Sequence, residues 1–143
     1  MNINEIKGMN NSQFVAALRN MNACCNAVEW ASSHGGTPAE LWHDCERGDW
    51  MGWIIGTCEL HESPQKLAAC LADVLAPIAK LLPSATTVEK TLRLYARGKA
   101  TIEDVEAAGW AAGWAAGRAA EAAGRAAGLK KSASVFRRHY PLF

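Results

Sequence analysis

A chain of 143 residues has the size of one domain and can bury about two-thirds of its unfolded surface, so it needs no metal or disulfide to fold. Its net charge is +1, which excludes a molecule that grips nucleic acid with its whole surface. The charge is split, however. Residues 1–85 carry five bases against nine acids, a net −4, and residues 86–143 carry ten bases against five acids, a net +5. Such a split can orient a partner or a second copy of the chain.

The polar start MNINEIKGMNN has no apolar secretion core, so no signal peptide is expected and residues 1–11 read as a loose lead-in. No run of about 18 apolar residues occurs without charges, so no membrane span is expected. Five cysteines in an unsecreted chain read as reduced thiols, with the cytoplasm as the expected compartment. Asn11 or Ser12 can cap a first helix in which Phe14, Leu18, Met21, Cys25 and Val28 form one stripe running towards Trp30. The glycines of Ser32-Ser33-His34-Gly35-Gly36 end it.

Thr37-Pro38-Ala39-Glu40 is a capping box with proline at the first helical position, opening a helix from Pro38 to about Glu46. Arg47-Gly48-Asp49 turns the chain, and Asp49 is expected to cap the next helix, lined on one side by Trp50, Trp53, Ile54 and Cys58. Ser63-Pro64 starts a further helix with Leu67, Cys70, Leu71, Val74, Leu75 and Ile78 as its stripe, and Pro77 should kink or break it. Thr86 with Glu89 marks another start, ended by Gly98. Thr101 with Asp104 restarts the chain at once, giving a tight helical hairpin.

The last long helix should run from Ile102 to about Gly128. Its body, AAGWAAGWAAGRAAEAAGRAAG, places glycines 109, 113, 117, 124 and 128 in its interior. Each costs roughly 0.5–1 kcal/mol relative to alanine, so close approach of another backbone is the expected reason for them. Trp110 and Trp114 share a face. Residues 129–143 form a basic tail that reads as a short helix laid back on the body. The fold expected is all-α: one domain, residues 1–143, of about six or seven helices with the long Ala/Gly-rich helix at its centre.

Cys45-Glu46-Arg47-Gly48-Asp49-Trp50-Met51-Gly52-Trp53 resembles a C-x-RGDW-M/L-x-W motif of small Ala/Trp-rich helical proteins from phages, prophages and bacteria, some of them described as immunity proteins. Glu89, Tyr95, Ala96, Gly98, Ala100 and Thr101 continue the likeness, which covers about residues 39–128. The chain departs from the pattern in the glycines of its alanine helix and in Thr86-Thr87, where arginine and proline are expected. The resemblance implies a helical fold and a setting in which one protein inhibits or neutralises another. It supplies no catalytic residues.

Several chemistries can be weighed from the residues alone. Arg47-Gly48-Asp49 matches an integrin ligand by letters, but a turn fits a helical protein better, with Arg47 paired to Asp44 or stacked on a tryptophan. Cys58-x-x-His61 and His43-x-Cys45 have short metal-ligand spacings without the second pair that would complete a zinc tetrad, so no metal and no cofactor are expected. Asp44, Glu46 and Asp49 near His43 could form an acid–base cluster, but carboxylates on short helices usually serve as solvated faces or caps, and no nucleophile elbow, P-loop or dinucleotide fingerprint occurs. The expectation is therefore a non-enzymatic protein-binding module, phage- or mobile-element-encoded, that occupies the surface of a host, defence or toxin protein. Trp110, Trp114, Arg118 and Arg125 are its first interface candidates, with Arg137 and Arg138 in the tail. The alternative is a nucleic-acid binder using the basic C-terminal part. A homodimer through the glycine seam is compatible with either.

Overall fold

The structure, a computed structural model, describes residues 1–60, 62–80, 83–108 and 125–142, with positions 78, 84 and 125–127 described by backbone alone. It is all-α, with nine helices among the described residues: α1 (Ile3–Lys7), α2 (Asn11–Asn20), α3 (Cys25–His34), α4 (Pro38–Asp44), α5 (Gly48–Thr57), α6 (Pro64–Ala79), α7 (Pro83–Ala96), α8 (102–108) and α9 (Arg125–His139). The count exceeds the six or seven expected because two short helices escape a reading based on long stripes. None of the described helices is long and apolar enough to cross a membrane.

The first extra helix lies in the supposed lead-in. Asn2 and Glu5 form a capping box around α1, and Ile6 is driven into the core at 2% exposure. The second arises because the Phe14–Val28 stripe is two helices. After Met21 the chain enters the left-handed region at Asn22, φ 59°. Asn22 N–H donates to the Arg19 carbonyl and Ala23 N–H to that of Leu18, a Schellman ending. The same pair of bonds closes α5 through Glu59, φ 52°, and α7 through Gly98, φ 69°. Only the glycine announces itself in the sequence. Asparagine tolerates the left-handed region because its short side chain bonds locally, whereas glutamate is held there by its surroundings.

The Thr37/Glu40 and Thr101/Asp104 boxes form as expected, and Ser63 Oγ accepts from Lys66 N–H at the start of α6. Two details differ, and of the kink or break expected at Pro77 the break does not occur. Asp49 does not cap α5, because its carboxylate faces the Arg47 guanidinium from inside the first turn. Helix α7 starts at Pro83, and Thr86 Oγ1 donates back to the Ala79 carbonyl at 2.7 Å, tying α7 to the end of α6. Helix α6 continues through Pro77 to Ala79. Helix α8 starts where the Ala/Gly-rich helix should, but its body from Gly109 to Gly124, with the expected central seam, lies outside the described residues.

Among the described residues, three apolar clusters fill the fold. One gathers Ile6, Phe14, Leu18, Val28, Ala31 and Leu41 from α1–α4. A second gathers Met51, Ile55, Cys70, Ala133, Phe136 and Tyr140 from α5, α6 and α9. A third joins Ala68 and Ala72 of α6 to Val88 and Leu92 of α7, with Val105 of α8 against them. Trp30, Ile54 and Leu142 touch both of the first two clusters, so α5 and its neighbours stitch the N-terminal helices to the C-terminal one.

The tail is thus part of the core. Helix α9 lies along the Gly48–Gly52 face of α5. A Cβ on Gly48 would stand 2.0 Å from Ser132 Oγ and 2.7 Å from the Ala133 nitrogen, and one on Gly52 would meet Phe136 at 2.9 Å. The side of α5 that is most buried is therefore Gly48, Met51 and Ile55, while Trp50, Trp53 and Ile54 are only partly covered. Small residues let the two helices close in to backbone contact, and the bulky indoles are displaced to the flanks.

Candidate functional site

The corner between α3, α4 and α5 brings together a row of aromatic and charged side chains. Trp30 and His34 stand four apart on α3 and share a face, so their rings stack with centroids 5.0 Å apart. Trp50, in the first turn of α5, tilts against Trp30 at 5.8 Å. The Arg47 guanidinium sits 4.3 Å over the Trp50 ring and is bidentate to Asp49, at 2.9 and 2.6 Å. At the other end His34 Nε2 lies 3.1 Å from Asp44, whose second oxygen is 2.7 Å from His43 Nδ1. The result is a continuous strip: His43, Asp44, His34, Trp30, Trp50, Arg47, Asp49.

Helix chemistry places each member. The Thr37/Glu40 box and Pro38 fix where α4 starts, and its last turn delivers His43 and Asp44 beside the end of α3. In the Arg47-Gly48-Asp49 turn Gly48 lies side-chain-free under α9, and Arg47 folds back over Trp50, held by the Asp49 carboxylate. Hydrogen bonds from His43 first, then His34, hold the Asp44 carboxyl below the usual carboxylate range. The Arg47 guanidinium does the same for Asp49. Both acids are ionised near neutrality and serve as charge partners. The strip is solvent-accessible, with His34, Asp44 and Asp49 side chains 36%, 46% and 45% exposed. It offers two indole rings, a guanidinium, two imidazoles and two carboxylates in one row, which suits recognition of another surface.

This chain matches no family model, no curated protein and no solved structure. Its own residues therefore carry the functional argument.

The six interface candidates fare unequally. Trp110, Trp114 and Arg118 lie outside the described residues, and of Arg125 only the backbone at the start of α9 is described. Arg137 turns inward: its guanidinium donates to the Cys45 carbonyl at 2.7 Å and to that of Trp42 at 3.4 Å, closing the end of α4. Arg138 pairs with Asp73 of α6 at 3.2 Å, and His139 reaches the same carboxylate at 2.8 Å. Arg93 of α7 bonds Asp73 as well, at 3.1 Å, so one acid pins three helices. Lys130 pairs with Glu46. These bases hold α9 in place, a role that the tail's composition alone does not suggest.

Of the two metal spacings, Cys58-x-x-His61 falls partly outside the described residues, and His43 and Cys45 have other partners. Cys58 is buried with its Sγ 3.6 Å from Met21 Sδ, Cys45 donates to the Arg47 carbonyl, and His61 lies outside the described residues. No group of three or more His, Cys, Asp or Glu among the described residues could hold a metal ion. Burial pushes the Cys70 thiol up to about 12 and the Tyr140 hydroxyl, with the Lys66 ammonium 5.0 Å over its ring, to about 12 as well. The sequence offered Arg47 either paired to Asp44 or stacked on a tryptophan; it stacks on Trp50, but its acid partner is Asp49, while Asp44 bonds His34 and His43. The sequence also contained the Trp30-x-x-x-His34 spacing, whose i,i+4 pairing was the available sign of the rest of the strip.

Proposed function

We propose that this protein is a non-enzymatic binding module that works by occupying the surface of another protein. The observation that carries the reading is the half-buried Trp30–Trp50 pair, flanked by Arg47 at one end and by the more exposed His34 with Asp44 at the other. Tryptophan and arginine are the residue types that dominate binding energy at protein interfaces, and a rim of mixed charge suits specificity. Rigid presentation adds to this, because α4 starts on the Thr37/Glu40 capping box and α9 covers α5 and closes the end of α4. The motif likeness points to a phage or mobile-element setting in the cytoplasm, with a host, defence or toxin protein as the target. The nucleic-acid alternative draws less support, since Arg137, Arg138 and Lys130 already have intramolecular partners.

The test is site-specific photocrosslinking in the native host. A crosslinker at position 33, beside the strip, should give one discrete adduct that excess unlabelled protein competes away and that Arg47→Glu abolishes. A crosslinker at position 134, on α9, is the control. An adduct that survives both Arg47→Glu and Trp30→Ala, while Arg118→Glu with Arg125→Glu removes it, would move the interface to the alanine-rich segment.

A further inference from the structure

The strip has seven members, and Trp30 is the middle one. His34, Asp44 and His43 follow on one side, and Trp50, Arg47 and Asp49 on the other. The two arms have similar spacing. Counted outward from Trp30, the links are 5.0 Å to His34 and 5.8 Å to Trp50, then 3.1 and 4.3 Å, then 2.7 and 2.9 Å. Place for place the arms are also chemically complementary: an imidazole against an indole, a carboxylate against a guanidinium, an imidazole against a carboxylate. Laid antiparallel on a copy of itself, the strip therefore meets a suitable group at every place. Moving the axis to the midpoint of Trp30 and Trp50 destroys the match, because Asp44 then meets Asp49 and His34 meets Arg47.

We infer that this surface binds a second copy of the chain, in a two-fold dimer with Trp30 on the axis. A two-fold contact is isologous, so every pairing is made twice: Asp44 with Arg47 of the second copy, His43 with its Asp49, and His34 against its Trp50. The charged ends of both arms can exchange partners, since the Asp44, His43, Arg47 and Asp49 side chains all reach solvent. Charge complementarity of this kind fixes register and orientation more than it adds affinity. Size sets the strength. A standard interface takes about 20–30 residues a side, and seven side chains fall well below that, so the dissociation constant should be roughly 10–1,000 µM. The inference rests on the same strip as the protein-binding reading and names an occupant for it: a target of higher affinity binds by displacing the second copy.

The test is sedimentation equilibrium of the purified full chain at low salt, with no other protein present. The mass should rise with concentration from 15.4 kDa towards twice that value. Asp44→Lys and Arg47→Glu each set like charges across the axis, twice per dimer, and each alone should weaken association about tenfold or more. An equimolar mixture of the two variants has opposite charges at both places again, so it should associate about as well as the parent. A parent mass that stays at 15.4 kDa up to about 2 mM overturns the inference. So does a mixture that fails to associate, or a dimer that both variants form unchanged, the outcome expected of a seam in residues 109–128. Should either variant not fold, a nitroxide at position 33 of otherwise unchanged chain decides. Mixed with isotope-labelled parent, it should broaden the labelled Trp30 and Trp50 indole signals, and unbroadened signals refute the dimer. Crosslinking in the host reads the other proposal separately. A strictly monomeric chain leaves a target adduct intact, whereas a dimer whose strip captures no other protein sinks the target reading alone.

Discussion

Two helix contacts in this protein are built on opposite principles. Between α5 and α9 the surfaces meet through glycine, serine and alanine, with backbone atoms where side chains would normally stand. Between α6 and α7 they meet through Val88 and Leu92 seated against Ala68 and Ala72. The first contact has no slack, so it should fail when atoms are added. The second depends on side-chain volume, so it should fail when atoms are removed.

The largest expected effects test that opposition directly. Gly48→Ala adds one carbon where Ser132 and the Ala133 nitrogen already stand, and should cost about 3 kcal/mol in urea unfolding. Leu92→Ala removes three carbons from the other contact and should cost about 2–4 kcal/mol. If Gly48→Ala proved as stable as the parent, α9 would not approach α5 as closely as described and the comparison would collapse.

A smaller difference separates two adjacent arginines of α9. Arg137→Ala leaves the Cys45 carbonyl without its charged donor and should cost about 1.5–3 kcal/mol. Arg138→Ala loses an exposed ion pair and should cost under about 1 kcal/mol. The same chemical melts decide it, and equal costs would mean that Arg137 does not close the end of α4.

Asp73 links the two contacts, reaching Arg93 on α7 and Arg138 with His139 on α9. Its hydrogen bond with His139, and then that with Arg93, hold its carboxyl below the ordinary value. A depressed carboxylate stabilises the fold above its unfolded pKa, near 3.9, and that contribution disappears as the pH falls through the lower folded value. Stability should therefore drop between about pH 5 and pH 2, and Asp73→Asn should flatten that part of the curve and lower the plateau above it.

The smallest effect has the opposite sign. Gly56 continues the Gly48–Gly52 spacing, yet a Cβ there would meet nothing within 4 Å. Gly56→Ala should stabilise by about 0.5–1 kcal/mol through helix propensity alone, readable as a small rise in Tm. A loss instead would extend the tight contact by one turn.

The sequence made the helix starts legible at Thr37, Ser63 and Thr101, but not at the Asn2/Glu5 box, and α2 is capped by Asn10 where Asn11 or Ser12 was expected. Ends were readable where glycine makes them, at Gly35 and Gly98, whereas Asn22 and Glu59 turn the chain without glycine and leave no mark in a hydrophobic pattern. Small-residue packing was foreseen, but in residues 109–128. The described instance lies in α5, inside the RGDW motif, where Gly48 read as a turn residue. The Trp50–Arg47 stack followed from local spacing, whereas the Arg137–Cys45 and Arg138–Asp73 contacts join distant segments and could not.

That distance bears on how the chain acquires its fold. Arg137 and the carbonyl it caps are 92 residues apart. During synthesis α5 leaves the ribosome long before α9 exists, with Met51, Ile55 and the bare glycine face still awaiting their cover. At about 5–20 residues per second the wait lasts several seconds, ample time for a helix so apolar to find a wrong partner. The nascent chain therefore has reason to need a chaperone, and a stop codon ahead of Ser132 should leave aggregate in place of a shorter working protein.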